Sequence, residues 1–204
     1  MAAGAPLSED RWTRYYAAAG EAPRQTLLQA LELIQAEGKV PATAVDLGCG
    51  AGRDTLELLR RGWRVVAVDA EAEAIERLLA HPEASRRGDA LETVVARFDE
   101  AVWPEALLVS SSFSLPFCLP DEFGRVWRKV RASLVPGGRF CGQLFGNRDE
   151  WAAESGMTFL SRHEVEALLA GLDVERLDET EHDGQTALGK PKRWHLFHVI
   201  ARRP

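Results

Sequence analysis

The stretch Val45-Asp46-Leu47-Gly48-Cys49-Gly50-Ala51-Gly52 decides the fold. Ala44 to Leu47 (AVDL) reads as a short buried strand, and Arg53 to Arg61 has helical spacing through Leu56, Leu58 and Leu59. A strand that runs into a glycine-rich turn and opens a helix is suited to ligand binding. Glycines let the backbone approach a ligand closely, while the helix N-terminus offers free N–H groups and the positive end of a dipole. The glycines fall at 48, 50 and 52, as G-x-G-x-G. The dinucleotide fingerprint places its third glycine one position later, where Arg53 stands, which disfavours a nucleotide-dependent oxidoreductase.

Two acids support the loop. Asp46 lies in an otherwise apolar strand end, where a lone carboxylate is costly and needs donors, from loop amides or from a ligand ammonium through water. Asp69 ends the next strand, Arg64 to Asp69 (RVVAVD), at the carboxyl edge where α/β sheets bind ligands. A carboxylate there can accept from both hydroxyls of a ribose, at about 1.5–3 kcal/mol for each charge-assisted bond.

Outward from this unit, short apolar runs alternate with helical patterns. Glu71 to Ala80 reads as a helix, and Leu91 to Phe98 and Ala106 to Ser111 as strands. Phe123 to Leu134 is a helix with Arg125, Arg128, Lys129 and Arg131 on its wet face; Pro136-Gly137-Gly138 stops it, and Arg139 to Phe145 returns as a strand. This rhythm predicts an α/β, Rossmann-like doubly wound sheet, mostly parallel and covered on both faces. Trp194 to Ala201 is an apolar strand preceded by the polar stretch Asp173 to Lys192. Two strands joined without a helix cannot run parallel, so an antiparallel C-terminal hairpin is expected at one sheet edge. Trp12 to Gly20 and Pro23 to Glu37 read as helices. The expected organisation is one domain over 1–204, with N-terminal helices in 1–38 forming a lid over a core in 39–204.

The chain has 204 residues, 46% hydrophobic and 27% charged, which argues against disorder, collagen and coiled coil. Its net charge of −6 gains nothing from counterion release, so no nucleic-acid partner is expected. No basic segment precedes an apolar stretch at the N-terminus and no long apolar run occurs, so a cytoplasmic protein without membrane contact is expected. Cys49, Cys118 and Cys141 are too few, and odd in number, for a disulfide framework. His81, His163, His182, His195 and His198 are scattered and no C-x-x-C occurs, so no metal is expected.

On these residues the chain resembles the class I S-adenosylmethionine-dependent methyltransferases. Asp46, Gly48, Gly50 and Gly52 look like their D-x-G-x-G-x-G motif, and Asp69 stands at the place of the ribose acid. DLGCGAGRDTLELLRRGWRVVAVDA is similar to small bacterial tellurite-resistance-type and general small-substrate methyltransferases. The similarity extends to the helix–PGG–strand unit and to the terminal WHLFHVIARR.

The resemblance implies S-adenosylmethionine as cofactor and S-adenosylhomocysteine as product. It implies Gly48 and Gly50 against the methionine half, Asp46 toward its ammonium, and Ala70 beside the adenine. Arg24 and Arg53 read either as partners of the cofactor carboxylate or as surface charges. Where the family usually has an acid near adenine N6, this chain has Arg97; Phe98 packing on the ring and Asp99 accepting from N6 are the substitutes. Reading Gly88-Asp89-Ala90 as that motif is disfavoured, because HPEASRR cannot form a buried strand.

Ser110, Ser111 and Ser112 form either the floor near the sulfonium or plain strand-end caps. Trp12, Tyr15 and Tyr16 form a lid or pack the first helix. Tyr16, Phe113 and Phe117 are substrate-pocket candidates, joined by Phe145 and Trp151 if these face the pocket. His195 is either a base or structural, and Cys49 packs. The six carboxylates of Asp173 to Asp183 form a solvated face or recognise a cationic substrate. The expected function is methyl transfer to a small molecule by in-line displacement, in a monomer or homodimer. A non-catalytic cofactor-binding sensor or inactive paralogue is the alternative.

Overall fold

In the computed structural model, residues 9–18, 20, 22–153 and 156–204 are described. Their strands form one eight-stranded sheet. β1 (Thr43–Leu47) lies inside it, between β2 (Arg64–Asp69) and β4 (Ala106–Ser111), and pairs parallel with both. The order is β3-β2-β1-β4-β5-β8-β7, with β3 at Leu91–Val95, β5 at Leu134–Gly146, β7 at Asp173–Gln185 and β8 at Pro191–Arg202. The two-residue β6 (Phe159–Leu160) adds to β5 in parallel. β8 runs antiparallel to β5 and β7, so the expected C-terminal hairpin closes the sheet. The strand order reverses between β1 and β4, and a doubly wound sheet opens its ligand crevice at such a point.

Alternate residues of each strand face opposite layers. Val45, Val109, Phe140 and Phe197 pack against α6 (Pro120–Ser133) and α7 (Arg162–Leu169). Ala44, Val65, Leu108 and Cys141 pack against α2 (Gln25–Ala36), α3 (Arg53–Arg60) and α4 (Ala72–Ala80). The second N-terminal helix therefore departs from the lid reading. Leu27, Ala30, Leu31 and Ile34 are buried in the layer that covers the sheet, so α2 belongs to the core. Of the two N-terminal helices, it is α1 (Glu9–Ala18) that lies over the glycine loop, through Tyr16 at Gly50.

Three further elements differ from expectation. β3 stops at Val95, because the chain turns at Arg97, whose carbonyl accepts from Ala101 N at 2.8 Å. β5 begins before the glycines, since Gly137 adopts φ +74° and donates to the Arg203 carbonyl at 2.8 Å, so the strand continues through PGG. α7 went unread, although its capping box is plain in the residues. Ser161 accepts from Glu164 N, and the Glu164 carboxylate accepts from Ser161 N at 2.7 Å. The short α5 (Pro82–Arg86) likewise occupies HPEASRR, in keeping with the absence of a buried strand there.

Candidate cofactor and acceptor site

The loop between β1 and α3 is held by its own backbone and by one acid. Gly48, Gly50 and Gly52 have φ of +71°, +54° and +96°, where a side chain is strained. Gly48 N and Cys49 N both donate to the Val68 carbonyl, at 2.7 and 3.1 Å. A Cβ on Gly48 would overlap Ser114, and one on Gly52 would overlap Leu78. Asp69 accepts from Gly50 N at 2.8 Å through one oxygen and from Glu71 N at 3.0 Å through the other. It thereby fixes the loop to the end of β2, and burial pushes its carboxyl up. The Ala70 amide also acts on this carboxylate, which has about four acceptor positions in all and so keeps acceptor capacity for a ligand.

Asp46 is fully enclosed, and its donors are side chains rather than the expected loop amides: Thr55 Oγ1 at 2.7 Å and Ser110 Oγ at 2.9 Å. Ser110 is spent on this bond and fully buried, so it supports the loop from beneath and forms no open floor. Burial, and then the nearby charge of Asp54, push the Asp46 carboxyl up to about 7.

The stability consequence has a definite sign. A folded-state carboxyl raised from 3.8 to about 7 holds a proton that the unfolded chain has released. Its contribution is present in full below 3.8 and is lost as pH rises toward 7. Asp46→Asn should therefore gain melting temperature relative to wild type as pH climbs through that interval. A difference that stays flat in thermal melts across those pH values would disprove the raised carboxyl.

Asp54, in the first turn of α3, was missed. One of its oxygens accepts from Arg24 N at 2.8 Å and the other from Ser112 Oγ at 2.5 Å. It joins the start of α2 and the end of β4 to the glycine loop. An acid in the first turn after such a loop was the available signal.

These groups border a cleft of about 400 Å³ that includes Tyr16, Gly48, Gly50, Arg53, Asp54 and Ser112. Arg53 lines it, its guanidinium pKa lowered by burial and by Arg24. Tyr16 packs on Gly50, and burial together with Asp69 pushes its phenol up. From the same helix Trp12 stacks near Tyr16 at 6.3 Å and meets Phe117 edge-on at 5.2 Å, while Thr13 bonds to Glu73 of α4. Cys49 is packed within the core, as expected, and burial raises its thiol.

Of the residues expected beside the adenine, Phe98 lies near Gly48 and Ala70 is exposed just after β2. Asp99 departs from the expected role. Its carboxylate lies between Arg97 and Arg125 of α6, at 3.3 Å from each, and pairs with both cations.

His195 departs as well. Its Nδ1 accepts from Arg148 N at 3.0 Å and its Nε2 pairs with Glu179 at 2.8 Å. The ring is fully buried with both nitrogens engaged, so it has no lone pair to offer a substrate.

Beyond the cleft the rings form a connected wall. Phe113, the non-glycine residue in the left-handed region (φ +59°), carries the Arg24 guanidinium over its face at 4.7 Å. Its ring centroid lies 6.4 Å from Phe145 and 6.2 Å from Trp194. Phe145 further neighbours Phe117, Trp151, Phe159 and Trp194, at 5.9–6.1 Å. The Lys192 ammonium lies 3.4 Å from the Trp194 centroid and 3.6 Å from that of Trp151, and pairs with buried Asp149 at 2.8 Å. Sequence reading missed this pair, because its members are far apart along the chain and neither sits in a motif.

Among the described residues no group of three or more His, Cys, Asp or Glu could hold a metal, and no helix is long and apolar enough to cross a membrane.

Residues 44–138 match the family model described as "Methyltransferase domain". The carboxy-S-adenosyl-L-methionine synthase of Vibrio cholerae is 33% identical over 97 residues, 46% of this chain and 39% of that protein. The match thus spans about two fifths of that relative's length. Among solved structures, TehB from Haemophilus influenzae superposes with a TM-score of 0.73 at 15% identity, covering 86% of this chain and 62% of that one. The 1,6-didemethyltoxoflavin-N1-methyltransferase of Burkholderia thailandensis, bound to its substrate and S-adenosylhomocysteine, gives 0.66 at 22%, covering 98% and 93%. The magnesium protoporphyrin IX methyltransferase of Synechocystis gives 0.71 at 14%, covering 96% and 95%.

Proposed function

We propose that this chain, whose residues 44–138 match a methyltransferase domain and whose fold is shared with TehB, transfers a methyl group from S-adenosylmethionine to a small-molecule acceptor. The observation that carries the reading is the glycine loop held by Asp69 at the mouth of the cleft. Three left-handed glycines let the loop backbone approach a ligand closely, and Asp69 retains acceptor capacity for a ribose hydroxyl. In this reading Phe98, near Gly48, flanks the adenine, and Arg53, which lines the cleft, meets the carboxylate of the methionine half. When bound, the cofactor supplies an electrophilic methyl on a sulfonium.

The protein's own work is orientation and water exclusion, with reacting atoms brought to roughly 3–3.5 Å. Tyr16 and Trp12 on α1 serve as the cover, and Phe113 and Phe117 line the acceptor side. No residue need be a covalent intermediate. The structural place of His195 favours an acceptor that reaches the site without an imidazole base. The reading is of a cytoplasmic enzyme that acts on neither nucleic acid nor membrane.

Calorimetric titration tests it. S-adenosylhomocysteine should bind and raise the melting temperature, by about 2.7 kcal/mol of stabilisation at a hundredfold excess over Kd, while NAD should not. Asp69→Ala should weaken that binding at least tenfold. Stabilisation by NAD alone, or an unchanged Kd in the variant, would place the nucleoside elsewhere.

A further inference from the structure

The aromatic wall lies beside the cleft, apart from the glycine loop and Asp69. It is continuous with the cleft, because Arg24 lines the cleft and lies over Phe113, and because Trp12 of the cover meets Phe117. Phe113, Phe117, Trp151 and Trp194 are half-buried around the fully buried Phe145. An aromatic cluster of this kind ordinarily suits a cationic guest, through the negative potential over its ring faces. Here those faces are taken by the chain's own cations. The Lys192 ammonium lies over Trp194, Trp151 and Phe145, and the Arg24 guanidinium over Phe113. A second cation would meet ring faces that already hold a cation. The half-buried rings of Phe113, Phe117 and Trp194 present edges and outer faces, which favour offset or edge-on contact with another ring.

Burying an ion pair is a poor way to gain stability, and an apolar replacement is often as good. The Lys192–Asp149 pair is therefore best explained by what it positions. Asp149 also accepts from Trp151 N at 3.0 Å and from His195 N at 3.1 Å, which ties Trp151 and the β8 residue next to Trp194 to one carboxylate.

We infer that the wall formed by Phe113, Phe117, Trp151 and Trp194 is the acceptor subsite and takes a planar aromatic acceptor without positive charge, with Lys192 as a positioning residue. The inference rests on the methyltransferase reading and deepens it.

The test uses the full chain saturated with S-adenosylhomocysteine and reads tryptophan fluorescence and calorimetry rather than turnover. The probes are 2-naphthol, 2-naphthoate, 2-naphthylmethylammonium and cyclohexanecarboxylate. The two uncharged or anionic naphthalenes should bind at least tenfold more tightly than the ammonium and the aliphatic acid, and quench tryptophan emission. Trp151→Leu should cost at least tenfold in naphthoate affinity while leaving the S-adenosylhomocysteine Kd within twofold, and Trp151→Phe should recover most of it. If Trp151→Leu does not fold, Phe113→Leu carries the same expectation. Equal or tighter binding of the ammonium, equal binding of the aliphatic acid, no measurable binding of any naphthalene, or ring variants without effect would each overturn the assignment. Absence of S-adenosylhomocysteine binding counts instead against the methyltransferase reading, and the naphthalene series is then judged on the unliganded chain.

Discussion

Asp149→Ala lowers the unfolding free energy by about 3–5 kcal/mol, the range for removing one partner of a buried ion pair. The carboxylate is fully buried and serves three donors, the Lys192 ammonium and the amides of Trp151 and His195. Alanine takes the counter-charge from a buried ammonium and leaves two amides without their acceptor. Urea titration at neutral pH measures the loss, and Asp149→Asn, which keeps an acceptor oxygen, should lose less. A loss under about 1 kcal/mol would mean that the pair is already solvated in the folded protein.

Gly146→Ala is expected to cost at least about 2 kcal/mol, from overpacking together with the strain on two buried hydrogen bonds. A Cβ at this last residue of β5 would overlap the His195 ring. That ring cannot swing aside without giving up Arg148 N or Glu179. Gly124→Ala supplies the opposite sign. This glycine lies exposed in α6 with only the end of Arg128 nearby, so alanine should add about 0.5–1 kcal/mol of helix stability. Thermal or urea unfolding of both variants separates local crowding at Gly146 from any general effect of replacing glycine. Equal shifts of one sign would defeat the account.

What was legible in the residues was local. The loop glycines and Asp69 lie within one strand–loop–helix–strand unit, so their spacing alone announces the crevice, and the alternating apolar runs announce the sheet. The hairpin followed from a connection too polar for a crossover helix. Roles that depend on distant partners were not legible. Nothing near Asp99 reveals that Arg125 on α6 pairs with it. Nothing near His195 reveals that Arg148 N and Glu179 occupy its nitrogens, so a histidine beside a tryptophan looked free to act. Asp46 was recognised as needing donors, but Ser110 comes from a strand 64 positions away along the chain. The aromatic wall was half legible. Its rings were visible in the residues, and the cations that decide what it can hold were not.

The acidic strand β7 has a consequence for how the molecule meets its own copies. It lies at one end of the sheet order, bonded along one side to β8. A long edge strand is a template on which another chain can add. Asp173, Glu175, Asp178, Glu179, Glu181 and Asp183 put a carboxylate at nearly every second position of that edge. Arg202, Arg139, Arg176, Arg148 and Arg193, all in the same fold, neutralise many of them from within. Charged side chains on an edge strand discourage such addition, so β7 blunts this edge of the sheet with ion pairs that a second copy arriving edge-on would have to displace.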